Sequence, residues 1–111
     1  MDMSYQSEKF SVARSNLMLP HHQGEHSSIA HAFHECSLGL DDLDRSILDD
    51  YARGLVRDLE NMMSVDSLSD PNGEGLYSIK AKTFSVEEKI ELSRIIDELA
   101  DWFNQYDFDK L

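Results

Sequence analysis

The stretch from Leu43 to Met63, LDRSILDDYARGLVRDLENMM, places the strongest constraint on what this chain can fold into. On a helix with about 100° per residue, its apolar side chains cover an arc of roughly 220°, far wider than the stripe of a helix buried on one side. Such a helix needs neighbours on two sides. They are either two elements of its own chain, or one element and a second protein, for which a second copy in a homodimer is one candidate. The predicted packing or dimer-seam residues are Tyr51, Leu55, Leu59, Met62 and Trp102.

Gly54 and Asp58 interrupt this apolar arc. A glycine inside a helix costs about 1 kcal/mol relative to alanine. We therefore expect a neighbouring backbone to approach the helix closely at Gly54. Asp58 lies at the edge of the arc, where a carboxylate is expected at the solvated rim. Two ion pairs are predicted on the solvated strip, Asp49 with Arg53 and Arg57 with Glu60.

A helix is predicted from Glu25 to Leu38, ahead of the central one, with Ser27 as its N-cap. Gly39 fits the position just beyond its end. Asp41 or Asp42 would cap the central helix, which leaves a connection of only about three residues. The two helices should therefore form an antiparallel pair. The predicted apolar face of the first helix is Ile29, Ala32, Phe33 and Cys36.

The last helix has the clearest local signals. Ser85 and Glu88 have the spacing of a capping box, in which each side chain bonds the other residue's backbone amide. The apolar side chains that follow form a stripe about 120° wide, typical of a helix buried on one side. They are Leu92, Ile95, Ile96, Leu99, Trp102, Phe103 and Tyr106.

The remaining segments carry weaker patterns. Residues 1–9 are polar and are expected to be frayed, and the segment from Phe10 to Leu19 fits a strand or a short helix ended by Pro20. A turn is predicted at residues 70–73. Apolar and polar residues alternate from Leu76 to Lys82, which favours a half-buried strand over an extended linker.

These patterns predict a single small acidic domain over residues 1–111. Its fold class is mainly α, with an antiparallel helix pair plus a long C-terminal helix. It has at most a short strand or β-hairpin around residues 64–82. An apolar content of 41% is enough for one core at this length.

The net charge of -12 limits the classes of partner. Nucleic acids and anionic membranes would be repelled, so direct binding to either is not expected. A basic protein would be attracted, although acidity that serves solubility alone explains the same charge. The single cysteine, Cys36, cannot form an internal disulfide, and no apolar run approaches membrane-spanning length. A cytoplasmic location is therefore expected.

All five histidines lie between His21 and His34. On a helical wheel, several of them point away from the apolar face and could hold a surface Zn²⁺ ion. The alternative is a solvated, histidine-rich face without metal, and titration near pH 6.5 would also allow pH sensing. No established metal-binding spacing is present. The candidate metal ligands are His26, His31, His34 and Glu35.

Carboxylates dominate the outer faces of the central and last helices. They would suit a basic partner, and a solvated surface is the alternative. The candidate partner-binding residues are Asp49, Asp50, Glu60, Glu87, Glu91, Glu98 and Asp101.

No catalytic residue is predicted, because Cys36 should face the core and no nucleotide-binding or hydrolase motif occurs. The leading hypothesis is a non-enzymatic protein-interaction module: a small cytosolic regulator, adaptor or inhibitor, with a basic nucleic-acid-binding protein as one candidate target. The alternative is a small metal-binding protein or a metal-dependent hydrolase that uses the cluster from His21 to His34. No cofactor is expected under the first hypothesis, and zinc under the second.

Overall fold

The structure, a computed structural model, describes residues 3–18, 25–73 and 75–109, and side chains as far as Tyr106. The described residues form five α-helices and no strand, which confirms the predicted mainly-α fold. A short 3₁₀ helix, Arg45–Ile47, precedes the third helix. The helices are α1 (Ser4–Met18), α2 (Glu25–Asp41), α3 (Asp50–Met63), α4 (Leu76–Lys82) and α5 (Val86–Asp109).

Two aromatic clusters hold the helices together. Helix α1 packs against both α2 and α5, while α4 lies on α2 and α3 lies on α5. The ring of Phe10 stacks on that of Phe103, with centroids 5.2 Å apart, and this contact joins α1 to α5. Phe33 meets the edges of Tyr77 and Phe84, which joins α2 to α4 and to the residues after it. Burial of each such ring removes roughly 150–250 Å² of surface from water, a large contribution for a single side chain.

The contact between α1 and α2 is unusually close at Gly39. This glycine lies inside α2 rather than beyond its end, so the predicted end of the helix is wrong. A Cβ atom at Gly39 would lie 3.1 Å from Cε2 of Phe10. The buried side chain of Gln6 donates from Nε2 to the carbonyl of Asp42 at 3.2 Å, and more weakly to that of Gly39 at 3.4 Å. It thereby satisfies carbonyl groups at the C-terminal end of α2 that have no partner within the helix.

The central helix is shorter than predicted. Asp49, rather than Asp41 or Asp42, caps α3, with its side chain accepting from the Ala52 amide at 2.8 Å. Asp44 caps the 3₁₀ helix in the same way. Since α3 begins only at Asp50, the predicted three-residue connection to α2 is wrong. The predicted antiparallel pairing is not verified, because α2 and α3 are not among the helix pairs in extensive contact.

The wide apolar arc has a simple explanation in this arrangement. Leu43 and Ile47 lie before α3 and pack at the edge of the core in a different backbone conformation. Helix α3 itself is buried on one side only, so it does not need the second neighbour that the arc predicted. Its buried residues are Ala52, Leu55, Val56, Leu59 and Met63.

The strand predicted at residues 76–82 is wrong, because this segment is helix α4. Tyr77 and Ala81 are four residues apart, which places them on one face of this helix, and Phe84 follows its end. That face packs on Phe33 of α2, with Ala81 and Phe84 buried. Tyr77 and Ala81 therefore fit both the alternation that predicted a strand and the spacing of a helix.

The N-terminal segment is more ordered than predicted. Helix α1 begins at Ser4, so most of the segment expected to be frayed is helical, and Met3 is buried. The helical alternative for the segment from Phe10 is confirmed as far as Met18, while residues 1–2 and 19–24 lie outside the described residues. Helix α2 is already helical at Glu25, so Ser27 is not its N-cap.

The last helix agrees with its local signals. The Ser85 amide donates to Glu88 Oε1 at 3.0 Å, and the Glu88 amide donates to Ser85 Oγ at 3.1 Å, which confirms the capping box. The predicted apolar stripe of α5 faces the core. Within the described ranges, no helix combines the length and the hydropathy that crossing a membrane requires.

Candidate functional site

A groove of about 410 Å³ opens between the C-terminal half of α3 and the start of α5. Its apolar lining consists of Met62, which is half-buried, and Ile95, which is fully buried. Its rim is acidic, with the uncharged polar side chain of Asn61 among the carboxylates. We call it the α3–α5 groove. Its lining residues are Asp58, Asn61, Met62, Glu87, Glu88, Glu91 and Ile95.

Helical spacing positions these side chains. Asp58 and Met62 are four residues apart on α3, and Glu87, Glu91 and Ile95 are successively four residues apart on α5. Each set therefore shares one face of its helix.

The two helices run in opposite directions along the groove. At the far end, the Tyr51 hydroxyl donates to Glu98, and Trp102 Nε1 donates to Asp49 Oδ2 at 3.3 Å. These hydrogen bonds join the start of α3 to the second half of α5. The groove therefore lies at the opposite end of the contact between the two helices.

Two carboxylates of the groove, those of Glu88 and Glu91, are held in the ionised form by their hydrogen-bond donors. Hydrogen bonds from the Ser85 backbone and side chain lower the pKa of Glu88. A hydrogen bond from Arg94 lowers the pKa of Glu91. Both shifts favour the ionised carboxylate. Arg94 also pairs with Glu98, so a single guanidinium group is shared between two acids.

The other two acids of the rim are less compensated. Asp58 lies 3.4 Å from the Nε atom of its neighbour Arg57, and its side chain is 47% exposed. It therefore lies at the solvated rim of α3, as the sequence predicted. Glu87 is exposed and has no ion pair with any residue that the structure describes. The groove thus presents more negative than positive charge to solvent.

The predicted partner-binding acids do not form one surface. Glu87 and Glu91 lie on the groove, and Glu98 lies farther along the same face of α5. Asp101 binds Arg14 of α1 at 3.1 Å, on another side of α5. The Asp49 side chain caps the N-terminus of α3, and Asp50 is exposed in the first turn of that helix.

The ion pairs predicted along α3 differ from those in the structure. Glu60 accepts two hydrogen bonds from Arg45, at 2.8 and 2.9 Å, rather than pairing with Arg57. Asp49 caps the helix instead of pairing with Arg53. Both acids therefore serve the local structure at the edges of α3, away from the groove.

Sequence reasoning did not include Asp58, Asn61 or Glu88 among the candidate site residues. The spacing of Asp58 and Met62 was visible, but only the position of α5 shows that Glu87 and Glu88 face them. Of the predicted seam residues, Leu55 and Leu59 pack in the core. Met62 and Trp102 are half-buried, whereas Tyr51 is 53% exposed.

The structure does not bring the candidate metal ligands together as a set. His31 and His34 are exposed on α2, while Glu35 pairs with Lys9 of α1 at 3.4 Å. Among the described residues, no group of three or more metal-type side chains could hold an ion. His21 and His22 lie outside the described residues, so zinc binding stays a prediction.

Cys36 faces the core, as predicted. Its thiol is buried, and burial together with the nearby charge of Glu35 raises its pKa. A raised pKa keeps the thiol protonated and therefore a poor nucleophile.

Comparison with models of protein families, with curated proteins and with solved structures finds no match for this chain.

Proposed function

We propose that this protein is a non-enzymatic interaction module that binds a basic, partly apolar segment of a partner protein in the α3–α5 groove. The supporting observation is the combination of an acidic rim with the apolar floor formed by Met62 and Ile95. The side chain of a lysine or arginine has the matching chemistry. Its aliphatic stem can cover the floor while its charged end reaches the carboxylates. Regulators, adaptors and inhibitors of basic proteins, including proteins that bind nucleic acids, are roles of this kind.

The charge of the whole chain supports the same proposal. A net charge of -12 attracts a basic partner from solution and accelerates its encounter with the surface. Long-range attraction acts over a Debye length of about 8 Å at physiological salt and does not by itself select a binding site. The groove adds selection, because the half-buried Met62 offers an apolar contact between the carboxylates, which acidity for solubility alone would not need.

The proposal can be tested with a fluorescein-labelled peptide of alternating lysine and leucine pairs, with binding followed by fluorescence anisotropy. A peptide of lysine alone and one of alternating glutamate and leucine pairs serve as comparisons. We expect the lysine–leucine peptide to bind most tightly, the lysine peptide more weakly, and the glutamate–leucine peptide not at all. If the lysine peptide bound more tightly than the lysine–leucine peptide, the apolar floor would have no role in binding.

A pair of variants locates the binding surface. Glu87→Lys reverses a charge on the groove, and Glu8→Lys makes the same change at an exposed position of α1. We expect Glu87→Lys to weaken binding about fivefold more than Glu8→Lys, since a local charge contact contributes about 1 kcal/mol. Equal losses in the two variants would mean that the peptide responds only to net charge, and would refute the groove as the site.

A further inference from the structure

Helix α3 has an unfilled position at Gly54. A Cβ atom there would meet only Nη2 of Arg57, at 3.8 Å, and Arg57 is itself a mostly exposed side chain. No backbone of the described residues approaches Gly54, so the close contact predicted from the sequence does not form among them. The glycine still costs the helix about 1 kcal/mol relative to alanine.

Gly54 lies on the same side of α3 as the groove. It follows Tyr51 by three residues and precedes Asp58 by four, so the three residues form one continuous stripe along the helix. We call this stripe the Gly54 face. Asp58 lines the groove at one end of it. Tyr51 stands at the other end with 53% of its surface exposed.

The ring of Tyr51 is held in a defined position. Its hydroxyl donates a hydrogen bond to Glu98, and this bond raises the pKa of the tyrosine. An exposed aromatic ring beside a carboxylate attracts a cation in two ways, through the face of the ring and through the acid.

We propose that the partner segment continues out of the groove along the Gly54 face, with its backbone against Gly54 and an arginine side chain over the ring of Tyr51. This inference rests on the proposed function. A backbone can come nearest to a helix where a Cβ atom is missing. The helix rises about 10 Å between Asp58 and Tyr51, a distance that about three residues of an extended segment would cover. In a polyproline II conformation, which has three residues per turn, two cationic side chains three residues apart would both face the helix.

Charge complementarity favours a basic segment over a second copy of this chain. The Gly54 face is bordered by the carboxylates of Asp50, Asp58 and Glu98. A second copy carries the same net charge of -12, and a two-fold contact would bring like charges together. A basic segment instead meets Asp58 at one end of the path and Glu98 at the other. The mostly exposed guanidinium of Arg57 lies beside Gly54 between them.

The test uses the lysine–leucine peptide on the full chain. Gly54→Leu places a side chain on the Gly54 face. The control, Ser93→Leu, adds the same side chain at an exposed position of α5 that is not part of the groove. We expect Gly54→Leu to raise the midpoint of thermal unfolding, because leucine favours the helix, and yet to weaken binding about tenfold. Ser93→Leu should leave the affinity unchanged. Gly54→Ala should raise the midpoint at least as much, because alanine has the highest helix propensity, but it should weaken binding by less, because it adds only a methyl group.

The role of Tyr51 has its own comparison. Replacing lysine by arginine in the peptide should tighten binding to the wild type, since arginine stacks better on aromatic rings. Tyr51→Leu should abolish that preference, so that the arginine–leucine and lysine–leucine peptides bind this variant with equal affinity.

The outcomes separate the two proposals. If Glu87→Lys weakens binding while Gly54→Leu and Gly54→Ala bind as tightly as the wild type, the path along the Gly54 face is refuted and the groove stands. If the wild type does not bind the lysine–leucine peptide, both proposals fail.

Discussion

The same substitution, glycine to alanine, should have opposite effects on stability at two helical positions of this protein. At Gly54 the added methyl group meets nothing closer than the end of Arg57 at 3.8 Å. Gly54→Ala should therefore stabilise the protein by up to about 1 kcal/mol, the difference in helix propensity. At Gly39 the methyl group would lie 3.1 Å from Cε2 of Phe10 and 3.3 Å from Cβ of Lys9.

The sign at Gly39 depends on whether Phe10 can move. Its ring is fully buried and stacked on Phe103, with an angle of 11° between the ring planes. A shift away from α2 would push it into that ring. Overpacking of a core costs about 1–3 kcal/mol. After subtraction of the helix-propensity gain of about 1 kcal/mol, Gly39→Ala should destabilise the protein by about 1 kcal/mol.

Urea unfolding of the two variants and the wild type, followed by circular dichroism, measures both changes. We expect the free energies of unfolding of the two variants to differ by about 2 kcal/mol. In thermal unfolding, each variant should shift by about 4 °C, in opposite directions. A Gly39→Ala variant that is as stable as Gly54→Ala would refute the close contact between α1 and α2.

Two further predictions concern a buried thiol and an exposed ion pair. Because burial and Glu35 raise its pKa, Cys36 should react with a thiol-specific reagent only as the protein unfolds, and rapid labelling of the folded protein would contradict its position in the core. The hydrogen bond from Arg45 lowers the pKa of Glu60, so the pair stabilises the fold above the ordinary carboxyl pKa and loses its effect as the pH falls below about 4.5. Arg45→Met should therefore cost less than about 1 kcal/mol at neutral pH, given the exposure of both side chains, and progressively less in acid. Urea unfolding across this pH range checks the trend, and a loss that does not change with pH would contradict it.

Local sequence signals were sufficient for the ends of some helices and for their buried faces. The capping box of Ser85 and Glu88 involves atoms only three residues apart, so it can be recognised without knowledge of the fold. The apolar stripes of α2 and α5 were predicted for the same reason, since the helical repeat alone determines which side chains share a face. The mainly-α class follows from these repeats.

The start of the central helix could not be predicted in this way. Asp41, Asp42, Asp44 and Asp49 all have the side chain of an N-cap, and the sequence pattern favoured the first two. The structure uses Asp44 for the 3₁₀ helix and Asp49 for α3. The choice depends on how Leu43 and Ile47 pack at the edge of the core, which is a contact with distant parts of the chain.

By itself, the sequence determined the helical class, the capping box, the buried faces of two helices and the excess of acid. Only the tertiary structure decided that Gly39, and not Gly54, accommodates a neighbouring helix. It also decided that α4 packs through Tyr77 and Ala81, and that Asp58 faces Glu87 across a groove. The physical reason is the separation along the chain of the residues that make each contact. Caps and helical faces depend on residues within one or two turns, whereas close approaches and grooves depend on which helices meet.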